Sequence, residues 1–406
     1  MPSSQSQKKR RRARDLGDEQ AIPPAEIGNA NFDQRTTRLD RPHLDRRRNL
    51  MAAAPSIDSA DSASLVSVSR TSSPSKQLGN MSLISDGFDE DKLLSPSFEI
   101  PADLRALIDK IERIGLGDGF LPASAKDELS SCGLNFPYYT FTPTSTDETV
   151  SWMSPAAAKN IVARAIRCEL LHEDETSWNM EVHHHLLRRV CRPQGRAGLV
   201  DFMSCTTARI APMWCPRGAP SKMVDFCFYI NPAYDPEPDL ARELESLRLQ
   251  LPSCSINHTD YRPLWAFPIG PSVETKKEPT DWSKALLQLG TWQSSQLRAI
   301  ASLERRQTLA TSALAFTSTS QSPAQSLVQL PSNPLGFTYY PGIIVQGHEW
   351  YFLATAAGKD KPAVLSKLVI GSTDTELGVY KVATALEYLT VTAGWSGGLP
   401  PPGGAH

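Results

Sequence analysis

The sequence predicts an α/β domain, a mixed central sheet flanked by helices and preceded by a disordered N-terminal tail. Three observations carry this. Apolar residues recur at helical spacing in several stretches beyond residue 100 and alternate at strand spacing near residue 225, whereas the first 95 residues are poor in aromatics. No internal repeat appears, so the alternation of helices and strands describes one domain built around a modest sheet.

Residues 1–95 are poor in aromatics and dense in Ser, Asp, Arg and Pro. Such a composition buries too little apolar surface to offset the entropy of ordering. The remaining residues, about 310 of 406, suffice for one large domain over 96–395, with 396–406 as a flexible C-terminal tail. The N-terminal tail opens with Lys8-Lys9-Arg10-Arg11-Arg12-Ala13-Arg14 and has a second cluster at Arg46-Arg47-Arg48. These runs read as nuclear-import or polyanion-binding patches, or as plain solvated charge. Ser72-Ser73-Pro74 and Ser95-Pro96 are candidate phosphate acceptors.

The elements follow in order. Leu104, Leu107, Ile108, Ile111 and Ile114 predict a helix with Gly115 as its stop. Ser154-Pro155 caps a second helix through Ile161, Ala165 and Leu170. A third runs from about Glu175 to Val190. Val224, Phe226, Phe228 and Ile230 alternate with Asp225, Cys227 and Tyr229, the pattern of a strand. Pro238 to Leu251 is a charged amphipathic helix, and 265–276 is a strand ending in Val273-Glu274-Thr275-Lys276. Asp281 to about Leu303 is a long helix with Leu286, Leu289, Trp292, Leu297 and Ile300 inward. Residues 311–335 read as a polar loop, Gly342 to Ala354 as one buried strand, and Leu377 to Leu389 as a final helix.

Charge is uneven along the chain. Residues 1–50 hold 12 Lys and Arg against 7 Asp and Glu, which leaves 30 against 37 for the rest, so the predicted domain is mildly acidic. The direct electrostatic argument for a nucleic-acid surface is therefore missing, and a polyanion would need a local patch or a metal ion. Seven cysteines with no C-x-x-C pair indicate neither a disulfide framework nor a zinc ribbon, and read as buried, reduced thiols. No apolar stretch is long enough to span a bilayer, and the basic N-terminus has no apolar signal region. The nucleus, otherwise the cytoplasm, is the expected address, with no membrane partner.

The chemistry concentrates in residues that are polar where the core should be. Asp225 interrupts an apolar strand, and Glu274 and Lys276, two apart, share a face of the next one. Burying three charges costs several kcal/mol per ion unless they pair or bind a metal. Two carboxylates at strand ends form a hard-oxygen site for Mg²⁺, and a neighbouring lysine can position or deprotonate a water. These are the parts of metal-assisted phosphodiester hydrolysis.

The same residues resemble the PD-(D/E)XK nuclease superfamily, and within it a fungal branch of nuclease-like domain proteins. The blocks that carry the likeness are Glu175-Thr176-Ser177-Trp178-Asn179 with Val182-His183; Val224-Asp225-Phe226; Asn257-His258-Thr259 with Tyr261 and Pro263-Leu264; Glu274-Thr275-Lys276; Gln288 with Trp292; and Val345-Gln346-Gly347-His348-Glu349-Trp350. They span roughly residues 100–395. The resemblance implies a restriction-endonuclease-like fold and a Mg²⁺ or Mn²⁺ cofactor. It implies that Asp225, Glu274, the Thr275 carbonyl and Glu175 ligate the metal, that Lys276 serves the attacking water, and that Gln288 lies beside the site. The implied partner is nucleic acid, DNA ahead of RNA. Val224 stands where the superfamily's proline would precede Asp225, and 49 positions separate Asp225 from Glu274, with the predicted helix 238–251 inserted between.

Other readings stand beside these. Asp225 could pair with an arginine, Lys276 could be a strand-end surface lysine, and Glu175 could be a first-turn acid favoured by the helix dipole, with Glu181 its rival. Gln288 fits either site or surface. His183-His184-His185 cannot converge on one ion, because successive helical residues diverge by about 100°. Asn257 and Thr259 read as organisers of a turn through bonds to backbone. Gly394-Trp395-Ser396-Gly397-Gly398 lacks the following helix and partners of a nucleophile elbow, and Gly115-Leu116-Gly117-Asp118-Gly119 follows a helix where a phosphate loop would follow a strand. A catalytically silent nuclease-fold protein that binds nucleic acid or protein is the alternative function.

Overall fold

Seven strands form one sheet in the order β1-β7-β6-β5-β4-β3-β2. They are β1 (Asp89–Lys92), β2 (Val200–Ser204), β3 (Phe226–Ile230), β4 (Ile269–Lys276), β5 (Tyr339–Gln346), β6 (Glu349–Ala356) and β7 (Ala363–Ser372). The β1–β7 and β4–β5 pairs are parallel and the others antiparallel. The computed structural model describes residues 73–93, 95–96, 98–142, 152–193, 195–219, 224–236, 239–277, 281–318 and 338–392. The basic clusters of the N-terminal tail and the G-x-S-x-G match lie outside the described residues.

Alternation along the strands divides the core in two. Ile343 and Val345 face one layer, with α2 (Ala102–Leu116), α3 (Ala125–Ser131), α4 (Pro155–Leu170), α6 (His184–Cys191) and α9 (Glu376–Thr392). Ile344 faces the other, with α1 (Pro74–Leu83) and α8 (Trp282–Ser318). In α2 the five apolar residues at helical spacing are all buried. Ser154 caps α4 as its sequence requires, its side chain accepting from the Ala157 N–H. The remaining helices are α5 (Glu175–Trp178) and α7 (Leu240–Leu249), on which no residue is fully buried.

The mixed α/β architecture is as the sequence predicts, and several details differ. Helix α1 and strand β1 lie within the segment 1–95 read as tail. Neither has amphipathic periodicity, yet Met81 and Phe88 are buried in the α8 layer, and β1 pairs with β7 through backbone groups that need no apolar sequence. Gly115 does not stop α2. The helix passes through it and ends at Gly117, whose φ of 84° is the left-handed cap that glycine supplies without strain. The single strand expected over 342–354 is a hairpin, β5 to β6, turned by Gly347 at φ 58° and His348. Helix α8 continues to Ser318, into the stretch expected as loop. Strand β4 starts at Ile269, after a short turn at Arg262–Leu264. All seven cysteines are unbridged, but only Cys168, Cys205 and Cys227 are fully buried and Cys132 is exposed.

Candidate active site

Strand β4 runs through the middle of the sheet and is buried along its whole length. A bulge opposite Cys227–Tyr229 accommodates Gly270 and Pro271, where a proline N–H would otherwise be missed from the ladder. Beyond it Ser272, Glu274 and Lys276 share one face, and Val273 and Thr275 the other.

Helix α8 lies antiparallel along that strand. Gln296 Nε2 donates to Ile269 O at 2.7 Å, and one turn earlier Trp292 Nε1 donates to Ser272 Oγ at 3.0 Å. Between these two bonds four helical residues, about 6 Å, run beside three strand residues that include the bulge. Gln288 and Lys284, both half-buried, follow on the two preceding turns of α8. The Lys284 charge does reach Glu175, whose carboxyl it favours in the ionised form.

Lys276 Nζ is the centre of the cluster. It lies 2.5 Å from Glu274 Oε1, 2.5 Å from the Thr275 carbonyl oxygen, and 3.3 and 3.4 Å from the two carboxylate oxygens of Glu175. Glu175 reaches it from the first turn of α5, where the Asp174 side chain caps the helix by accepting from Ser177 N. Glu274 and Lys276 are buried, whereas the Glu175 side chain is 38% exposed. Glu175, not Glu181, faces the site. Glu181 is committed to Arg164 and Arg167 on α4.

Asp225 stands on the other side of Thr275. Its Oδ2 accepts from Thr275 N and from Thr275 Oγ1, both at 2.8 Å, and no arginine pairs with it among the described residues. Thr275 Oγ1 also lies 2.9 Å from Asn179 Oδ1. One hydroxyl proton serves two oxygens, so Thr275 can satisfy Asp225 or Asn179 but not both at once. Asn179 in turn meets His183 Nδ1 at 2.9 Å. Both are buried on the π-helical turn Asn179–His183 between α5 and α6. Burial holds the His183 pKa down at about 3, so the ring is neutral.

Asn179 is the site residue that sequence reasoning missed. The available signal was a polar pair four apart, Asn179 and His183, on the face that also carries Trp178, Val182 and Leu186. By contrast Asn257 and Thr259 organise their turn as expected. Asn257 donates to Leu264 O and Phe267 O and accepts from Ile269 N, and Thr259 Oγ1 donates to Arg209 O.

Three carboxylates face one ammonium in this cluster, and the electrostatics follow. Burial and the Asp225 charge push Glu274 well above the ordinary carboxyl range, more than Lys276 offsets. Burial raises Glu175 as well, although Lys276 opposes it. For Lys276 burial disfavours the charge, but Glu274 and Glu175 outweigh it and the pKa lies above the usual lysine value. As arranged, Lys276 is therefore a hydrogen-bond donor and not a base. Glu274 Oε2 is buried without a hydrogen-bond partner. A buried carboxylate oxygen in that state favours a proton or a cation.

That orphaned oxygen and the hard-oxygen donor set fit a divalent ion. Glu274, Glu175 and the Thr275 carbonyl already converge on a positive charge, which Lys276 itself provides. Among the described residues no group of three or more His, Cys, Asp or Glu side chains is gathered to hold a metal. Two side chains and a backbone carbonyl make up the convergent set, and Asp225 acts on it from across Thr275.

The family model described as PD-(D/E)XK nuclease superfamily matches residues 127–391. No curated protein and no solved structure matches the chain.

Proposed function

The chain belongs to the PD-(D/E)XK nuclease superfamily, and from that premise we propose that it hydrolyses phosphodiester bonds of nucleic acid with a divalent metal at the Glu274 cluster. The observation that carries the proposal is the convergence of Glu274, Glu175 and the Thr275 carbonyl on one buried positive centre, beside an unpartnered Glu274 oxygen. A chain folding for stability alone gains little from three carboxylates around one lysine.

Glu274, Glu175, the Thr275 carbonyl and Asp225 would hold Mg²⁺ or Mn²⁺. When bound, the ion supplies polarisation of the phosphoryl group and stabilisation of developing charge. Lys276, released from the oxygen cage, donates a hydrogen bond that holds the attacking water or steadies the phosphoryl oxygens. Hydrolysis adds the water's hydroxyl to phosphorus and returns its proton to the leaving oxygen. Asp225 fixes the Thr275 backbone through the N–H bond and so aims the neighbouring carbonyl. Gln288, one turn before Trp292 on α8, would border the substrate side.

DNA is the first substrate to test, with RNA the second. The basic runs at residues 8–14 and 46–48 support a nuclear address, and the six ordered blocks support a place in a fungal branch. The test is cleavage of DNA and RNA by the purified chain with Mg²⁺ or Mn²⁺, with a chelator and with Asp225→Ala and Lys276→Ala alongside. Cleavage lost in all three controls supports the proposal.

A second reading has its own observation. The Lys276 ammonium occupies the position among the oxygens that a metal would take. If it never leaves, the protein is a silent nuclease-fold binding module. Absence both of cleavage and of calorimetric Mn²⁺ binding decides for that reading.

A further inference from the structure

The far end of β4 carries a second feature that the nuclease reading does not use. A cavity of about 310 Å³ opens between the start of β4, helix α7 and the middle of α8. Leu240, Leu244 and Leu247 of α7 form one wall, and Ile256, Ala299 and Ile300 another. Its volume is at the lower end of the range for small-molecule sites, and at the roughly 30 Å³ a water occupies in the liquid it has room for about ten heavy atoms.

Two buried polar side chains line this apolar space and are not satisfied. His258 is fully buried with no hydrogen-bond partner on either ring nitrogen, its ring set edge-on against Trp292 at 4.2 Å. Gln296 is 2% exposed. Its Nε2 is spent on Ile269 O, while its Oε1 has no partner. Buried polar groups are rarely left unmade, because each forfeits the bonds it had in water. Asn257, also at the cavity, differs from them: its amide is fully engaged by backbone.

The chemistry of these atoms selects the ligand. Burial keeps His258 neutral, its pKa about 3, so it offers one donor and one acceptor and no positive charge. Gln296 Oε1 is an acceptor, and Asp235 lines the same cavity. Among the described residues no Lys or Arg side chain lines the cavity, the Arg298 charge reaching only its edge at His258, and a carboxylate would face two oxygen-bearing groups, Gln296 and Asp235. We propose that this cavity binds a neutral aliphatic molecule of about ten heavy atoms whose single polar head, a hydroxyl or primary amide, donates to Gln296 Oε1 and bonds His258 while its chain lies against α7.

Titration of the full chain with 1-octanol, followed by calorimetry and by thermal unfolding, tests this. Saturable binding with Kd at or below about 1 mM and a raised unfolding midpoint are expected, with octanoate at least tenfold weaker. Gln296→Leu should weaken 1-octanol about fivefold by removing the acceptor. Ala299→Trp should abolish binding by filling the space. Gln296→Leu keeps the test valid if the tryptophan variant does not fold. Absence of saturable binding, because water or the chain itself fills the cavity, overturns the proposal. So does octanoate binding as tightly as 1-octanol, or 1-octanol affinity unchanged in both variants.

Discussion

Lys276 Nζ lies 2.5 Å from Glu274 Oε1, and both side chains are shut away from solvent. Each is the other's nearest compensation, but the match is uneven, because Asp225 and Glu175 add negative charge to the same volume. The pair is thus poised to take up positive charge, and its behaviour should show in stability, metal affinity and pH response.

Removing the ammonium leaves Glu274 buried and uncompensated. Lys276→Met should destabilise the protein by about 3–5 kcal/mol at pH 8, the cost of breaking a buried pair from one side. The loss should shrink as pH is lowered from 8 to 5 and Glu274, raised by burial and the Asp225 charge, is protonated more fully. Urea unfolding at the two pH values measures it, and an equal loss at both would contradict the charge argument.

Glu274 also sets a slope in the wild type. A carboxyl raised in the folded state contributes stability that is complete below the unfolded value of about 4.3 and is lost as pH rises through the folded one. Glu274→Gln should flatten the fall in stability above pH 4.5, though not wholly, since Glu175 and Glu387 are raised as well, Glu387 to about 7 by burial. Denaturant midpoints across pH 4.5–8 for both proteins give the difference in slope.

On the proposed function, Lys276 would compete with a metal for the same oxygens. Mn²⁺ binding by calorimetry should therefore be about tenfold tighter in Lys276→Met, some 1.4 kcal/mol, and undetectable in Glu274→Gln. Identical Mn²⁺ affinity in wild type and Lys276→Met would mean that the ion binds elsewhere.

Asp225 is open to a substitution that separates structure from chemistry. Asparagine keeps an oxygen to accept from Thr275 N, so Asp225→Asn should cost no more than about 1 kcal/mol, while Asp225→Ala should cost about 1–3 kcal/mol by orphaning that N–H. Both should abolish cleavage. Retention of activity in Asp225→Asn would make the residue structural.

His183 titrates in the opposite sense. Its depressed pKa means that stability is lost as pH falls from the unfolded value of about 6.5 towards 3. His183→Phe, packed among Trp178 and Trp350, should lose less stability than the wild type over that interval. Acid titration followed by tryptophan fluorescence reads this directly.

The centre of the site was legible in the sequence because Asp225, Glu274 and Lys276 put charge where strand periodicity demands apolar residues. Glu175 was legible only through the family resemblance, since its first-turn position alone spoke equally for a helix-dipole role. Asn179 was not, since its role depends on a π-helical turn that no periodicity announces. Strand β1, with the sequence Asp89-Glu90-Asp91-Lys92, has no apolar residue to report that it pairs. The hairpin of β5 and β6 hides for the opposite reason: its two arms are so uniformly buried that Gly347 and His348 are easily read as part of one long strand.

Strand β1 also bears on how the chain reaches its folded state during synthesis. Its partner β7 leaves the ribosome about 270 residues later, since Asp89 lies against Ala363. At translation rates of about 5–20 residues per second, that is a wait of roughly 14–55 seconds. A longer or greasier segment left exposed so long would recruit other nascent chains. Four charged residues in a row repel such company, and a polar edge strand of this kind can stand idle until the last layer of the sheet arrives to claim it.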